Sequence, residues 1–150
     1  ELNEGRPVRY GIVSGYFNPV HRGHIDYFQE AQRHCDYLFA IINNDAQVKI
    51  KGSKRFMDEL ERQRIVAAIR YVDEAVVSLD GDSSVSKTII FVREIISSMC
   101  KEEHTIHFFN SGDRDPGTYN FAENDVCEKY GVIPFFLDLP KVNSSSKLLS

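Results

Sequence analysis

Apolar and polar positions along this chain follow two periods in turn. Short, nearly continuous apolar runs occupy residues 8–14, 37–42, 75–79, 104–109 and 132–137 and end in polar or glycine-rich residues, the pattern of strands covered on both faces. Between them lie stretches with helical spacing. Ile25, Phe28, Ala31 and Cys35 make one stripe. Ile65, Ala68 and Ile69 make another, in a helix that Asp58 caps and that runs through Arg70; Ile89, Val92, Ile95, Ile96 and Met99 make a third within residues 85–100. Residues 121–130 predict a further helix, and Asn143-Ser144-Ser145-Ser146 reads as the cap of a last one, incomplete at the end of the chain. Residues 46–56 read as a loop and residues 1–7 as a loose terminus. Strands alternating with helices predict one α/β domain over residues 1–150, a doubly wound, five-stranded parallel sheet in the order 3-2-1-4-5.

One connection in this pattern carries chemistry. Gly15-Tyr16-Phe17-Asn18-Pro19-Val20-His21-Arg22-Gly23-His24 takes the first strand through a Gly and Asn-Pro turn into the first helix. A helix start gathers unpaired N–H groups and the positive end of a dipole, which suits an anion, phosphate above all. His21 and His24 are three apart, so both imidazoles leave the same face of the first turn, and Gly23 between them lets a ligand lie against the backbone. The same pair is compatible with two surface histidines or with half of a zinc site. His104 and His107 lie an odd number apart on a strand and point to opposite faces, so they cannot complete such a site together. The dinucleotide fingerprint and the P-loop spacing are both absent. Residues 46–56 hold Lys49, Lys51, Lys54 and Arg55, four cations in seven residues. They read as a solvated loop or, because the segment leaves the carboxyl end of the second strand, as phosphate contacts.

The ten positions Gly15-x-Phe17-Asn18-Pro19-x-His21-x-Gly23-His24 resemble the signature of the cytidylyltransferase-like nucleotidyltransferases, G-x-F-[DN]-P-x-H-x-G-H, and most of the chain can be laid along that family. Gly112-Asp113-Arg114 is similar to the glycine-aspartate pair of glycerol-phosphate cytidylyltransferases and closer to the G-D-R of heptose-phosphate adenylyltransferases. Arg70-Tyr71-Val72-Asp73-Glu74 resembles the cytidylyltransferase side. The Ser144–Ser146 cap resembles the family's I-S-[ST]-[ST] element, with Asn143 in place of the aliphatic residue. The resemblance implies a Rossmann-like fold and transfer of AMP or CMP from ATP or CTP to a phosphorylated sugar or polyol, with release of pyrophosphate. It implies catalytic roles for His21, His24 and Lys51. It implies nucleotide contacts for Gly15, Tyr16, Phe17, Asn18, Gly23, Lys49, Gly112, Asp113, Arg114, Asn143, Ser144, Ser145 and Ser146. Mg²⁺ is expected with the nucleotide and no resident metal, because no carboxylate cage is visible. The alternative is a catalytically silent nucleotide-binding module of the same fold.

Composition narrows the partners. No run of 18 apolar residues and no basic-then-apolar leader occurs in the 150 residues, so neither a membrane span nor a signal peptide is expected, and the setting is read as cytoplasmic. A net charge of −4 argues against broad nucleic-acid or anionic-membrane binding. Any phosphate affinity then has to come from local clusters. Cys35, Cys100 and Cys127 are odd in number and far apart, which predicts free buried thiols. The expected partners are an NTP and a phosphorylated acceptor, with no nucleic acid and no membrane; a homodimer is left open.

Overall fold

The structure, a computed structural model, describes residues 6–111 and 121–139. Strands β1 (Val8–Gly15), β2 (Tyr37–Ile42), β3 (Glu74–Val77), β4 (His104–Ser111) and β5 (Ile133–Leu137) form one parallel sheet in the order β3-β2-β1-β4-β5. This is the predicted order. Helices α1 (Arg22–Arg33), α2 (Asp45–Lys51), α3 (Glu59–Ala67), α4 (Ser86–Met99) and α5 (Phe121–Tyr130) fall between the strands. The apolar runs are continuous because both sheet faces are covered. Tyr10, Ile12, Phe39 and Ile41 meet Ile89, Val92 and Ile96 of α4 and Cys127 of α5. On the other face Val13, Leu38, Ala40 and Ile42 lie under Phe28 and Ala31 of α1 and Val66 of α3. All three cysteines are buried and free, and burial pushes the Cys35 and Cys127 thiols up to about 12.

β1 pairs β2 on one side and β4 on the other, with Gly15 level with Ile42. The chain runs outward one way through β2 and β3, then the other way through β4 and β5, so the strand order reverses at the carboxyl end of β1. Open α/β sheets bind ligands at that point, and the histidine turn stands there.

Several elements differ from expectation. Residues 46–56 do not form a loop throughout: Asn44 Oδ1 accepts the Gln47 N–H and Gln47 Oε1 accepts the Asn44 N–H, both at 2.9 Å, which opens α2 with a reciprocal cap. Gly52, at φ 82°, closes it in the left-handed region. α3 ends at Ala67 rather than Arg70, and its inward residues are Arg62 and Val66, with Ile69 partly buried beyond its end, rather than a stripe of Ile65, Ala68 and Ile69; Ile65 is 38% exposed and Arg62 fully buried. A charged residue on the core face hid the true phase. Met99, expected inside, ends α4 at 55% exposure. Ile25 is only half-buried, β3 stops at Val77, and β4 runs on to Ser111.

Candidate active site

The turn after β1 is built around a ring that folds back. Phe17 adopts φ 51°, a left-handed value uncommon outside glycine, and its ring is 1% exposed. It lies over Gly15, where a Cβ would stand 2.8 Å from two ring carbons. The ring meets Phe28 at 5.2 Å between centroids and His24 edge-on at 5.0 Å. Gly15 therefore makes room, and Phe17 braces His24.

α1 begins with its two histidines locked together. His21 is the N-cap: its Nδ1 accepts the Gly23 N–H at 3.1 Å, and the His24 Nδ1 accepts the His21 N–H at 3.0 Å. Two imidazoles thus do the work that Ser and Glu usually share in a capping box. Their rings stack at 3.9 Å. The N–H groups of His24 and Ile25 both reach the His21 carbonyl. The expected cluster of open backbone donors at Gly23 is corrected accordingly, since the N–H groups of Gly23, His24 and Ile25 are spent inside the turn. What remains lies on the rings. An Nδ1 that accepts carries no proton, so each neutral ring holds its proton at Nε2, and among the described residues nothing accepts from either Nε2. Burial first, then the neighbouring His21 and Lys51, lowers the His24 pKa to about 4. The ring is neutral near pH 7, a fixed N–H donor.

Tyr16, Phe17, Asn18, His21, His24 and Lys51 line one cavity of about 800 Å³ together with Pro19, Ser53, Lys54 and Phe56. Gly15, Gly23 and Lys49, also expected as ligand contacts, do not line it. For Lys49 the reason is helical phase: two positions before Lys51 on α2, it leaves the helix on another face. Lys54 takes the second cationic place. Lys51 Nζ sits 4.3 Å from the centroid of the Tyr16 ring, a cation–π contact. Asn18 clamps the connection between α2 and α3, its Nδ2 donating to the Lys54 carbonyl at 2.7 Å and its Oδ1 accepting the Phe56 N–H at 2.9 Å. A carboxylate could accept at this position but could not donate. Gly112, Asp113, Arg114, Asn143, Ser144, Ser145 and Ser146 lie outside the described residues.

One residue of the frame was missed from sequence. Arg62 gives Nε to the Met57 carbonyl at 3.0 Å, Nη1 to the carbonyls of Tyr16 and Asn43 at 2.8 and 2.6 Å, and Nη2 to Asp45 at 2.8 Å. This single buried guanidinium joins the histidine turn, the end of β2, the start of α2 and the segment before α3. Burial raises the Asp45 carboxyl, but hydrogen bonds and the charges of Arg55 and Arg62 outweigh it and hold the group below its usual range. Nothing in the local sequence pattern marked this arginine as buried.

The polar groups lining the cavity are the imidazoles of His21 and His24, the amide of Asn18, the hydroxyls of Tyr16 and Ser53 and the ammonium groups of Lys51 and Lys54, and among the described residues no carboxylate lines it. Among the described residues no group of three or more His, Cys, Asp or Glu side chains could hold a metal. The described lining does not fit a resident Mg²⁺, which is held by one or two carboxylates together with substrate phosphates.

A family model described as cytidylyltransferase-like matches residues 12–114, from within β1 past the end of β4. The chain belongs to the cytidylyltransferase-like family. Its members are nucleotidyltransferases, in keeping with the resemblance carried by the ten-residue turn. Over 91 residues, 59% of the chain and 19% of the relative, it is 36% identical to the bifunctional protein HldE of Gluconacetobacter diazotrophicus. Over 93 residues, 62% of the chain and 66% of the relative, it is 33% identical to the FAD synthase of Picrophilus torridus. The match thus takes in less than two thirds of either relative's own length. The crystal structure of the lipopolysaccharide core biosynthesis protein from Thermoplasma volcanium superposes with a TM-score of 0.68 at 20% identity, covering 89% of this chain and 98% of that one. At that identity the likeness concerns the fold. No helix among the described residues is long and apolar enough to cross a membrane.

Proposed function

We propose that this domain transfers a nucleotidyl group from ATP or CTP to a phosphorylated small molecule. An oxygen of the acceptor phosphate attacks the α-phosphorus, a new P–O bond forms, the bond from the α-phosphorus to the bridging oxygen breaks, and pyrophosphate leaves. An acceptor phosphomonoester with a second pKa near ~6 is already mostly dianionic at neutral pH, so no general base is required. Catalysis is positioning plus charge stabilisation. His21 and His24 donate Nε2–H to phosphate oxygens as charge builds on them; Lys51 neutralises the β/γ end. The reciprocal capping of the two imidazoles carries this reading, because it leaves both rings with one donor each in one cavity.

Relatives named FAD synthase widen the acceptor classes beyond sugars and polyols to a phosphate-bearing flavin. Pyrophosphate release with four NTPs against phosphorylated sugars, polyols and riboflavin 5′-phosphate tests the proposal. Release with one pair supports it; nucleotide binding without release for any pair would leave the silent binding module.

A further inference from the structure

The family resemblance gives Asn18 a nucleotide contact, yet both polar atoms of its amide are engaged within the protein. Nδ2 donates to the Lys54 carbonyl at 2.7 Å and Oδ1 accepts the Phe56 N–H at 2.9 Å, so one flat amide grips two peptide groups on either side of Arg55. The next residue is held from another direction. Met57 gives its carbonyl to Nε of Arg62 at 3.0 Å, and the same guanidinium donates Nη1 to the Tyr16 carbonyl at 2.8 Å. These bonds close a ring that runs from Tyr16 along the turn to Asn18, across to residues 54–57, and back through Arg62. A segment tied at one point can swivel; tied at two points to one turn, it keeps its orientation as well as its place.

The two ties are unequal. Arg62 is fully buried with Asp45 as its counter-charge, and removing it would leave that carboxylate without its partner, so this end belongs to the fold. The Asn18 bonds lie at the surface and their loss leaves the core intact. What they set is Lys54, whose ammonium shares the cavity with Lys51 and the two imidazoles. α2, which carries Lys51, has anchors of its own: Asn44 Nδ2 on the Ser78 and Asp80 carbonyls, and Gln47 Nε2 on those of Asp82 and Ser84. Lys54 stands past the Gly52 cap, beyond those anchors.

We infer that Asn18 is a positioning residue: through the backbone of residues 54–56 it presents the Lys54 ammonium to the triphosphate, and it does not itself hold the ligand. This rests on the nucleotidyl-transfer reading of the same cavity. Within that reading Lys51 and Lys54 share the charge of the phosphate chain, and a cation held in place before binding loses less freedom on binding than a mobile one.

A double-mutant cycle tests the inference, read by calorimetric affinity for ATP and CTP in Asn18→Ala, Lys54→Ala and the variant carrying both. Lys54→Ala should weaken triphosphate binding on the order of tenfold, the weight of one charge-assisted hydrogen bond, and Asn18→Ala by several-fold but no more. Because Asn18 acts through Lys54, the double variant should bind no more weakly than Lys54→Ala; independent contacts would multiply their losses. Amide hydrogen exchange reads the clamp without ligand. The Phe56 N–H should be protected in wild type, unprotected in Asn18→Ala and protected again in Asn18→Asp, which accepts but cannot donate. Affinity should not return in Asn18→Asp, since its carboxylate faces the Lys54 carbonyl. In release assays the loss should fall on KM for the NTP, with kcat little changed. An unprotected Phe56 N–H in wild type, no saturable binding of either nucleotide, wild-type affinity in folded Asn18→Ala, or multiplied losses in the double variant would overturn the assignment. Pyrophosphate release separates the two readings. Release by Asn18→Ala at wild-type KM keeps nucleotidyl transfer and sinks the clamp's role; coupled affinities without release for any pair keep that role and sink the transfer.

Discussion

Two helices begin near the carboxyl edge of this sheet, one on each face, and they treat the same physical problem in opposite ways. At the start of α4 the N–H groups of Lys87 and Thr88 are taken by the two oxygens of Asp80 at 2.8 and 3.0 Å, and the Val85 N–H by Glu123 at 2.9 Å. Both carboxylates are nearly buried, at 4% and 6% exposure. The positive end of that helix is answered from within the fold, and an incoming phosphate would meet like charge. At the start of α1 no acidic residue stands in the first turn, the capping atoms are imidazole nitrogens, and the ammonium of Lys51 is close enough to depress the His24 pKa. A helix start alone therefore does not mark an anion site. The capping side chain decides whether the pole is spent on stability or kept for a ligand.

The contrast is broken most directly at the histidines. His21→Ala or His24→Ala should lower turnover on the order of 10²–10³, the loss typical of one preorganised donor, or roughly 2.7–4 kcal/mol. Because each ring is also a cap, stability should drop as well, by about 1 kcal/mol. His21→Asn separates the two roles: asparagine is a good N-cap but brings no Nε2–H. Its melting temperature should stay near wild type while kcat falls like that of the alanine variant. Full activity in a folded His21→Asn protein would make the pair a cap and nothing more.

Acid should act on the same turn. The His24 pKa is lowered from the ordinary 6.5 to about 4, so between those values the unfolded chain binds a proton that the folded chain refuses. Stability contributed by the neutral ring is complete above pH 6.5 and is lost as pH falls toward 4, to the extent of roughly 3 kcal/mol. His107, depressed by burial and then by Arg9 and His34, adds to the same trend although a Tyr10 backbone contact opposes it. Protonation also removes the lone pair with which His24 Nδ1 accepts the His21 N–H. Urea midpoints at pH 7, 5.5 and 4.5 should fall more steeply in wild type than in His24→Asn; parallel profiles would contradict the assignment.

The α4 pole predicts a loss of another kind. Asp80→Ala strips the carboxylate from Lys87 N–H, Thr88 N–H and the Thr88 hydroxyl, and uncapped buried donors cost about 1–3 kcal/mol. Denaturant unfolding should show this, while turnover per folded molecule remains near wild type. A turnover loss as large as that of His24→Ala would show that the two poles are not separate.

How much of each pole was legible in sequence follows from chain distance. The strands, their order and the histidine turn rest on local signals: apolar runs, helical spacing and a ten-residue motif. Residues 80–84 likewise read as a turn and cap before α4, but Glu123 reaches the Val85 N–H across 38 positions, which no short window displays. Arg62 was hidden for a related reason. Charge predicts exposure, and only the convergence of the nearby Met57 carbonyl, the distant carbonyls of Tyr16 and Asn43, and Asp45 makes full burial tolerable. Within the cavity, Lys54 rather than Lys49 stands beside Lys51 because residues 45–51 are helical, and a segment read as loop carries no phase from which to tell the two apart.

The smallest expected effect concerns the charge that separates the two poles. Lys51 rests on the Tyr16 ring at 4.3 Å and is exposed, so its removal should cost little stability; exposed cation–π contacts contribute about 0.5–1 kcal/mol. Its ligand role should be seen in a difference. If Lys51 meets the β/γ end of the triphosphate, Lys51→Ala should weaken NTP binding by about tenfold, near the 1.5 kcal/mol low end for a charge-assisted hydrogen bond, and leave NMP binding nearly unchanged. The same substitution removes one of the influences holding the His24 pKa down, so the ring's titration, read by NMR, should move upward. The two readouts are independent, since one needs a ligand and the other does not. Equal weakening of triphosphate and monophosphate would place the lysine away from the β/γ end, and an unmoved His24 titration would mean that its charge is screened from the turn by solvent.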